Sequence, residues 1–254
     1  MIDINSKVQN LLSSKQYYYS LKNKKIKKNY WTARKDPDGK LRDRILNHNV
    51  ERKKFILNNS SLIKNIKKLN FKSLCDLGCG SGYLLSAIKS KKNTLTGVDN
   101  DDIAIKMASK YGTILKRNLN SKNFLIKKKF DVIVTYHAIE HLKKPENLIK
   151  NIRKILKKNG ILIIGTPDFD SAMARYYKNK FRLLHDPTHV SLFSTDSLLR
   201  FLRDQKFEIL KVDYPYFETS YFNKKNILRL FSKKNYLYSP PFYGSFVNIY
   251  CKKQ

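Results

Sequence analysis

The sequence predicts an α/β fold, a doubly wound and mostly parallel sheet with helices on both faces. Two features of the chain predict it. From residue 73 onward, short apolar runs alternate with helical patterns, and repeated β-α units close into a parallel sheet. The runs Phe130-Asp131-Val132-Ile133-Val134-Thr135 and Gly160-Ile161-Leu162-Ile163-Ile164-Gly165 are close to continuously apolar rather than alternating, as strands covered on both faces must be. At 254 residues the chain is long enough for one domain of roughly 200 residues with an attached segment.

Taken in order, residues 1–70 read as an N-terminal helical, capping segment and 71–254 as the main domain, with an insertion at about 168–194. Residues 1–30 are polar and lysine-rich, with Tyr17-Tyr18-Tyr19 and the run from Lys22 to Lys28, and suit either a flexible arm or a helix ordered on the domain. Asp36-Pro37-Asp38-Gly39 is a turn signal leading into a helical pattern from about Leu41 to Leu69. Ser73 to Leu77 is a short strand, and Tyr83 to Ser90 continues as a helix. Thr94 to Asp99 is the second strand, followed by a helix from Asp102 to Lys110 and a weaker strand near Thr113-Ile114-Leu115. After the run at Phe130, Pro145 opens a helix ending near Lys158, where Asn159-Gly160 supplies the stop. Ser194 or Thr195 caps a helix through Leu202. Phe207 to Val212 and Phe246 to Tyr250 are the final strands.

Charge narrows the partners less than its size suggests. The 52 Lys+Arg against 20 Asp+Glu give a formal charge of +32, which draws polyanions: nucleic acid, anionic headgroups or phosphate-bearing substrates. A lysine-dominated balance rich in Asn and Ile is also what an AT-rich genome produces, so charge alone selects no partner. Cys75, Cys79 and Cys251 form neither a disulfide framework nor a zinc pattern. Met1-Ile2-Asp3-Ile4-Asn5 lacks an apolar signal core, and no run approaches the ~18 apolar residues of a membrane helix. A cytoplasmic protein without a transmembrane segment is expected.

The chemistry starts at Asp76-x-Gly78-x-Gly80-x-Gly82, where a strand hands over to a helix. Glycines let the backbone turn sharply and let a ligand approach with no Cβ in the way, beside a helix N-terminus. Asp99 ends the next strand about 20 residues on, where a carboxylate accepts ribose hydroxyls. No Gly-Lys-Ser/Thr follows, which excludes a P-loop, and the spacing after Gly80 is not that of a dinucleotide fold.

The segment Leu74-Cys75-Asp76-Leu77-Gly78-Cys79-Gly80-Ser81-Gly82 resembles the first motif of class I S-adenosylmethionine (SAM)-dependent methyltransferases. The resemblance extends over roughly residues 70–215. Gly97-Val98-Asp99 is similar to the family's ribose-binding motif. Phe130-Asp131-Val132-Ile133 followed by His137-x-x-Glu140-His141-x-x-x-Pro145 resembles its fourth strand and the following helix, and Leu156-Lys157-Lys158-Asn159-Gly160-Ile161-Leu162 its turn into strand five. The resemblance implies a Rossmann-like, seven-stranded sheet with the last strand antiparallel, and SAM as cofactor. It places the cofactor against Asp76, Gly78, Cys79, Gly80, Gly82, Asp99, Asn100, Asn118, Leu119 and Tyr136. Asn118 stands where many relatives carry an Asp that meets the adenine amine, and its carbonyl oxygen can accept the same bond.

Where the methyl goes rests on histidines. Methyl transfer is an in-line displacement served by positioning, and an oxygen acceptor also benefits from a base. His137 and His141, with Glu140 between them, lie at the C-terminal end of the fourth strand, the edge where open α/β sheets bind ligands. The stretch from Phe181 to Ser194, with His185, Asp186, Pro187 and His189, resembles that of a subgroup akin to ubiquinone-biosynthesis O-methyltransferases and to enzymes of surface-glycan clusters. That resemblance implies His189 as base or acceptor-positioning group, with His141 and Glu140 next. The plainer alternative is that His189 only fastens its loop and that Glu140 and His141 only shape a helix start. His185, Asp186 and His189 are metal-ligand types, but Pro187 breaks helical i,i+4 geometry, and no metal is expected. Ser239-Pro240-Pro241-Phe242 stands too late in the chain for a base-methylating signature and reads as a turn. Trp31, Tyr176 and Tyr177 are candidates to stack on a ring, and Arg34, Arg175 and Arg182 to clamp a phosphate. The expected function is O-methylation of a small acceptor, phosphorylated or nucleotide-linked or a sugar or glycan precursor. The alternatives are an RNA methyltransferase, a quinone-precursor O-methyltransferase, and a non-catalytic binder, which the intact loop disfavours.

Overall fold

The computed structural model describes residues 4–11, 13–22, 33–35, 41–43, 45–124, 126–231 and 238–254. Strands β1 (Ser73–Leu77), β2 (Thr94–Asp99), β3 (Thr113–Lys116), β4 (Phe130–Tyr136), β5 (Leu156–Pro167), β6 (Phe207–Asp213) and β7 (Phe246–Lys253) make one seven-stranded sheet in the order β6-β7-β5-β4-β1-β2-β3. The pairs β1–β2, β1–β4, β2–β3 and β4–β5 are parallel. Strand β7 runs antiparallel to both β5 and β6. Strand order therefore reverses between β1 and β4, and a crevice opens there at the C-terminal ends of the strands.

Helices α1 (Ile4–Gln9), α2 (His48–Asn58), α3 (Ser60–Lys68), α4 (Tyr83–Ile88), α5 (Asp102–Ala108), α6 (Pro145–Ile155), α7 (Ala172–Tyr177), α8 (Thr195–Asp204) and α9 (Lys224–Phe231) accompany the sheet. Successive strand residues point to opposite faces, and both faces are covered. Ile133, Leu162 and Ile164 pack with Leu148, Ile149 and Ile152 of α6 and Leu198 and Phe201 of α8. Val132, Val134 and Ile163 pack with Ile63 and Ile66 of α3 and Leu84, Leu85 and Ile88 of α4. Each such side chain, fully buried, contributes about 1.5–3 kcal/mol. Ser194 caps α8 in a reciprocal box: its Oγ accepts from Ser197 N at 3.1 Å, and Ser197 Oγ accepts from Ser194 N at 3.1 Å.

The N-terminal residues dock on the insertion. Val8 and Leu11 are buried with Phe169, Met173, Tyr177, Phe181 and Leu192, and Tyr19 pairs antiparallel with Leu192. The Arg200 guanidinium donates to the carbonyls of Leu11, Ser14 and Gln16, tying this segment to α8.

Two expected elements differ. The helical pattern from Leu41 to Leu69 is broken: Leu41–Asp43 is a strand paired with Ala33–Lys35, and Asn59, whose Nδ2 donates to Phe55 O, separates α2 from α3. The helix expected to end near Lys158 ends at Ile155, because Leu156 is already extended and pairs with Phe130. Asn159 takes φ 59° in an irregularity inside β5 instead of capping the helix. The run 23–28 and Trp31 lie outside the described residues. No helix among the described residues is long and apolar enough to cross a membrane.

Candidate active site

The loop after β1 is shaped by left-handed glycines: φ is 84° at Gly78, 51° at Gly80 and 74° at Gly82, a region open to glycine at little cost. Gly78 and Cys79 donate their N–H groups to Val98 O at 2.8 and 3.1 Å, folding the loop over the end of β2. There the Asp99 carboxylate accepts from Gly80 N at 2.8 Å through Oδ2, and from Asn100 N at 2.7 Å and Asp101 N at 3.0 Å through Oδ1. The loop and the acidic strand end are thus one hydrogen-bonded unit.

A cavity of about 770 Å³ opens beside this unit. Asp76, Gly78, Cys79, Gly80, Asp99, Asn100, Asn118, Leu119 and Tyr136 all line it. Gly82 does not. It caps α4, and a Cβ there would meet Ala108 Cα of α5 at 2.9 Å, so its glycine serves the left-handed turn and helix packing together. Asn118 Oδ1 accepts from Asn120 N at 2.9 Å, which sets the turn after β3. Asp76 is buried, and burial, then the nearby Asp99, push its carboxyl up to about 7.

Glu140, His141 and His189 line the same cavity. Glu140 is fully buried, with Oε2 accepting from Thr166 Oγ1 at 3.0 Å and Oε1 bonded to His137 Nδ1 at 3.1 Å. Burial alone would raise its pKa; the His137 hydrogen bond and the surrounding histidines outweigh burial and hold it well below the usual carboxylate range. His141 and His189 each donate Nδ1–H to a carbonyl, of Thr188 at 3.0 Å and Leu183 at 2.7 Å, and their ring centroids lie 4.9 Å apart. Burial first, then His141, lower His189 to about 4, so it is neutral at pH 7. Ligating atoms of Glu140, His141 and His189 lie within 4.8 Å of one another, a spacing that would admit a cation. His185 does not join them: its Nε2 donates to Asn179 O at 2.7 Å.

Other expected residues are placed elsewhere. Arg182 lines the cavity, whereas Arg175 is held by both oxygens of Asp170. Tyr177 is buried with its hydroxyl on Arg229 O, and Tyr176 is half exposed. Ser239 fastens the insertion, its Oγ accepting from Arg182 N, and Ser239 to Phe242 are not themselves a turn but lead into the one at Tyr243-Gly244. The side chain of Arg34 lies outside the described residues. Phe55 and Asn58 of α2, Thr219, Tyr221 and Phe246 also line the cavity, and none of them sits in a motif. His137 holds φ 52°, a conformation unusual for a non-glycine residue and concentrated at functional sites; its place directly after β4 is the only sequence signal for it.

Comparison with known proteins identifies the family. A family profile described as a methyltransferase domain matches residues 40–212. The chain belongs to this family, the class I SAM-dependent methyltransferases. It is similar to the ubiquinone biosynthesis O-methyltransferase of Pelagibacter ubique, 32% identical over 156 residues that cover 56% of this chain and 61% of that one. It is also similar to that of Histophilus somni, 28% identical, covering 56% and 60%. The chain thus spans about three-fifths of the length of these relatives. Among solved structures, a SAM-dependent methyltransferase from Archaeoglobus fulgidus shares the fold, with TM-score 0.58, 20% identity and 82% and 98% coverage. One from Thermotoga maritima shares it with TM-score 0.56, 22% identity and 83% and 98% coverage.

The residues present fit SAM. A buried carboxylate at Asp76 is matched to an ammonium, Asp99 to ribose hydroxyls, and the backbone at Gly78 leaves no room for a Cβ, which would meet Ala138 Cβ at 2.8 Å. The raised Asp76 pKa has a measurable consequence. The protonated form is favoured below about pH 7, and an ammonium requires the ionised form. Affinity for S-adenosylhomocysteine is expected to rise about tenfold from pH 6 to pH 8, since one unit of pKa is a factor of ten, with proton release seen in calorimetry. Asp76→Asn is expected to bind weakly and without this dependence.

Proposed function

We propose that this methyltransferase modifies an oxygen of a small aromatic acceptor, a ring hydroxyl of the quinone-precursor type. One observation carries the reading: a single cavity runs from Asp99 past Tyr136 to His189, with Phe55, Tyr136 and Phe246 in its wall. Phe55 meets Tyr136 edge-on at 6.1 Å. The similarity to ubiquinone biosynthesis O-methyltransferases supports the same acceptor class.

SAM supplies a methyl group on a sulfonium, an electrophile that needs a nucleophile placed in line behind it. Asp76, the backbone of Gly78 and Gly80, Asp99 and Asn118 hold it. His189, neutral and with Nδ1–H fixed on Leu183 O, presents Nε2 as a hydrogen-bond acceptor for the acceptor's hydroxyl. His141, beside it, has the same tautomer fixed by Thr188 O. The ionised Glu140 beneath them stabilises positive charge as the proton leaves the hydroxyl. A second reading, a phosphorylated sugar acceptor, draws on Arg182 in the cavity wall.

Labelled SAM offered with 3,4-dihydroxybenzoate, a nucleotide sugar or total RNA separates these readings. Transfer to the dihydroxybenzoate is expected, and His189→Ala is expected to lower kcat about 100-fold, the scale of a lost acid–base partner. Transfer confined to the nucleotide sugar or to RNA would overturn the aromatic acceptor.

A further inference from the structure

A second concavity lies outside the catalytic cavity and has a different chemistry. The connection from β3 to β4, residues 117–129, carries no helix among its described residues. Beside it a groove of about 690 Å³ is left, within the size range of small-molecule sites. Leu115 and Ile126 are its partly exposed apolar residues, with the buried Phe124, Phe130 and Ile155 beneath them. Arg117, Lys127, Lys128 and Lys154 also line it, and among the described residues no Asp or Glu does.

Among the described residues no carboxylate pairs with these rim charges. Some lysines elsewhere find carboxylates, Lys116 reaching Asp102 at 2.6 Å and Lys157 reaching Asp131 at 2.8 Å, while others, such as Lys89, reach only a carbonyl. In the groove, Arg117 donates to Lys116 O and Lys128 to Thr94 Oγ1, both neutral acceptors. Lys128 also lies 5.7 Å from the centre of the Phe130 ring. Four cations around an apolar floor repel one another, and an anion that brings its own apolar body relieves the repulsion while covering the floor. A small inorganic anion satisfies only the rim, and an uncharged chain only the floor.

We propose that this groove is a binding site for an anionic amphiphile, a single acyl or alkyl chain bearing a carboxylate or phosphate. The chain lies over Leu115 and Ile126, and the head group meets Lys127, Lys128 and Lys154. The proposal does not depend on which acceptor is methylated, and its ligand does not occupy the SAM cavity.

The test uses the full chain with dodecyl phosphate and dodecanoate, both below their micelle concentrations, followed by calorimetry and by methyl NMR of isoleucine and leucine. Shifts at Ile126, Ile155 and Leu115 are expected. The surface double variant Lys127→Gln/Lys128→Gln is expected to weaken binding at least tenfold without changing affinity for S-adenosylhomocysteine. Dodecyltrimethylammonium and inorganic phosphate are each expected to bind at least tenfold more weakly than dodecyl phosphate. The ratio of the two anionic probes tells a lipid phosphate from a free fatty acid. Shifts confined to the catalytic cavity, equal affinity for the cationic chain, or unchanged binding by the double variant would each overturn the site.

Discussion

Asp99→Ala is expected to lower affinity for S-adenosylhomocysteine more than 100-fold and to cost about 3 kcal/mol of stability. The Asp99 carboxylate holds the N–H groups of Gly80, Asn100 and Asp101. Hydrogen bonds to a charged group contribute about 1.5–3 kcal/mol each. The site is part-exposed, so water takes over some of that interaction, and about 3 kcal/mol is what remains. The loss in binding is larger than one contact would give, because Gly80 is released together with the ribose acceptor. Asp99→Asn separates the two effects. Its oxygen can keep Asn100 and Asp101, but its amide then sets a donor against the Gly80 N–H. Stability within about 1 kcal/mol of the parent with binding still reduced at least 30-fold is expected. Chemical denaturation and calorimetry read both numbers. Retention of affinity within threefold in Asp99→Ala would remove Asp99 from the cofactor site.

The elements that position this site were readable where one physical cause dominates. The buried stretches of strands β1, β4 and β5 are covered on both faces and mostly apolar, so their runs and the parallel order could be argued from pattern. The glycine loop was readable because a left-handed backbone at Gly78 and Gly80 excludes most other residues. Gly82 shows the limit: it shares the left-handed backbone, but its close approach to α5 is a tertiary contact with no local mark. The end of α6 was misjudged for a related reason, since pairing of Leu156 with Phe130 overrides the stop signal at Asn159-Gly160. In the cavity wall, Glu140 and His141 lie next to a strand end and were named, whereas Phe55, Tyr221 and Phe246 come together from α2, a loop and β7. Their convergence is a property of the fold, and no spacing along the chain encodes it.

The second large effect is expected from Gly165→Ala, at about 2–3 kcal/mol of stability together with a loss of transfer. Gly165 has no positive φ, so an alanine backbone fits and the whole cost is steric. A Cβ there would lie 2.3 Å from Tyr136 Cδ2, 2.5 Å from Cε2 and 2.7 Å from Asn248 Oδ1. Gly165 is paired between Tyr136 of β4 and Asn248 of β7 in the middle of the sheet, so the backbone has little freedom to retreat. The Tyr136 ring must move instead, and it is the cavity wall beside the His137 ring, whose centroid is 4.4 Å away. The backbone of His137 is tied to the same place, its N–H donating to Gly165 O at 2.8 Å. A variant that only destabilised the sheet would leave kcat near normal below its melting point, whereas displacement of Tyr136 lowers kcat in protein that is fully folded. Tyr136→Ala relieves the clash, so the double variant should be about 1–2 kcal/mol more stable than the sum of the single changes. Strict additivity in that cycle would show that Gly165 is required for some reason other than the Tyr136 ring.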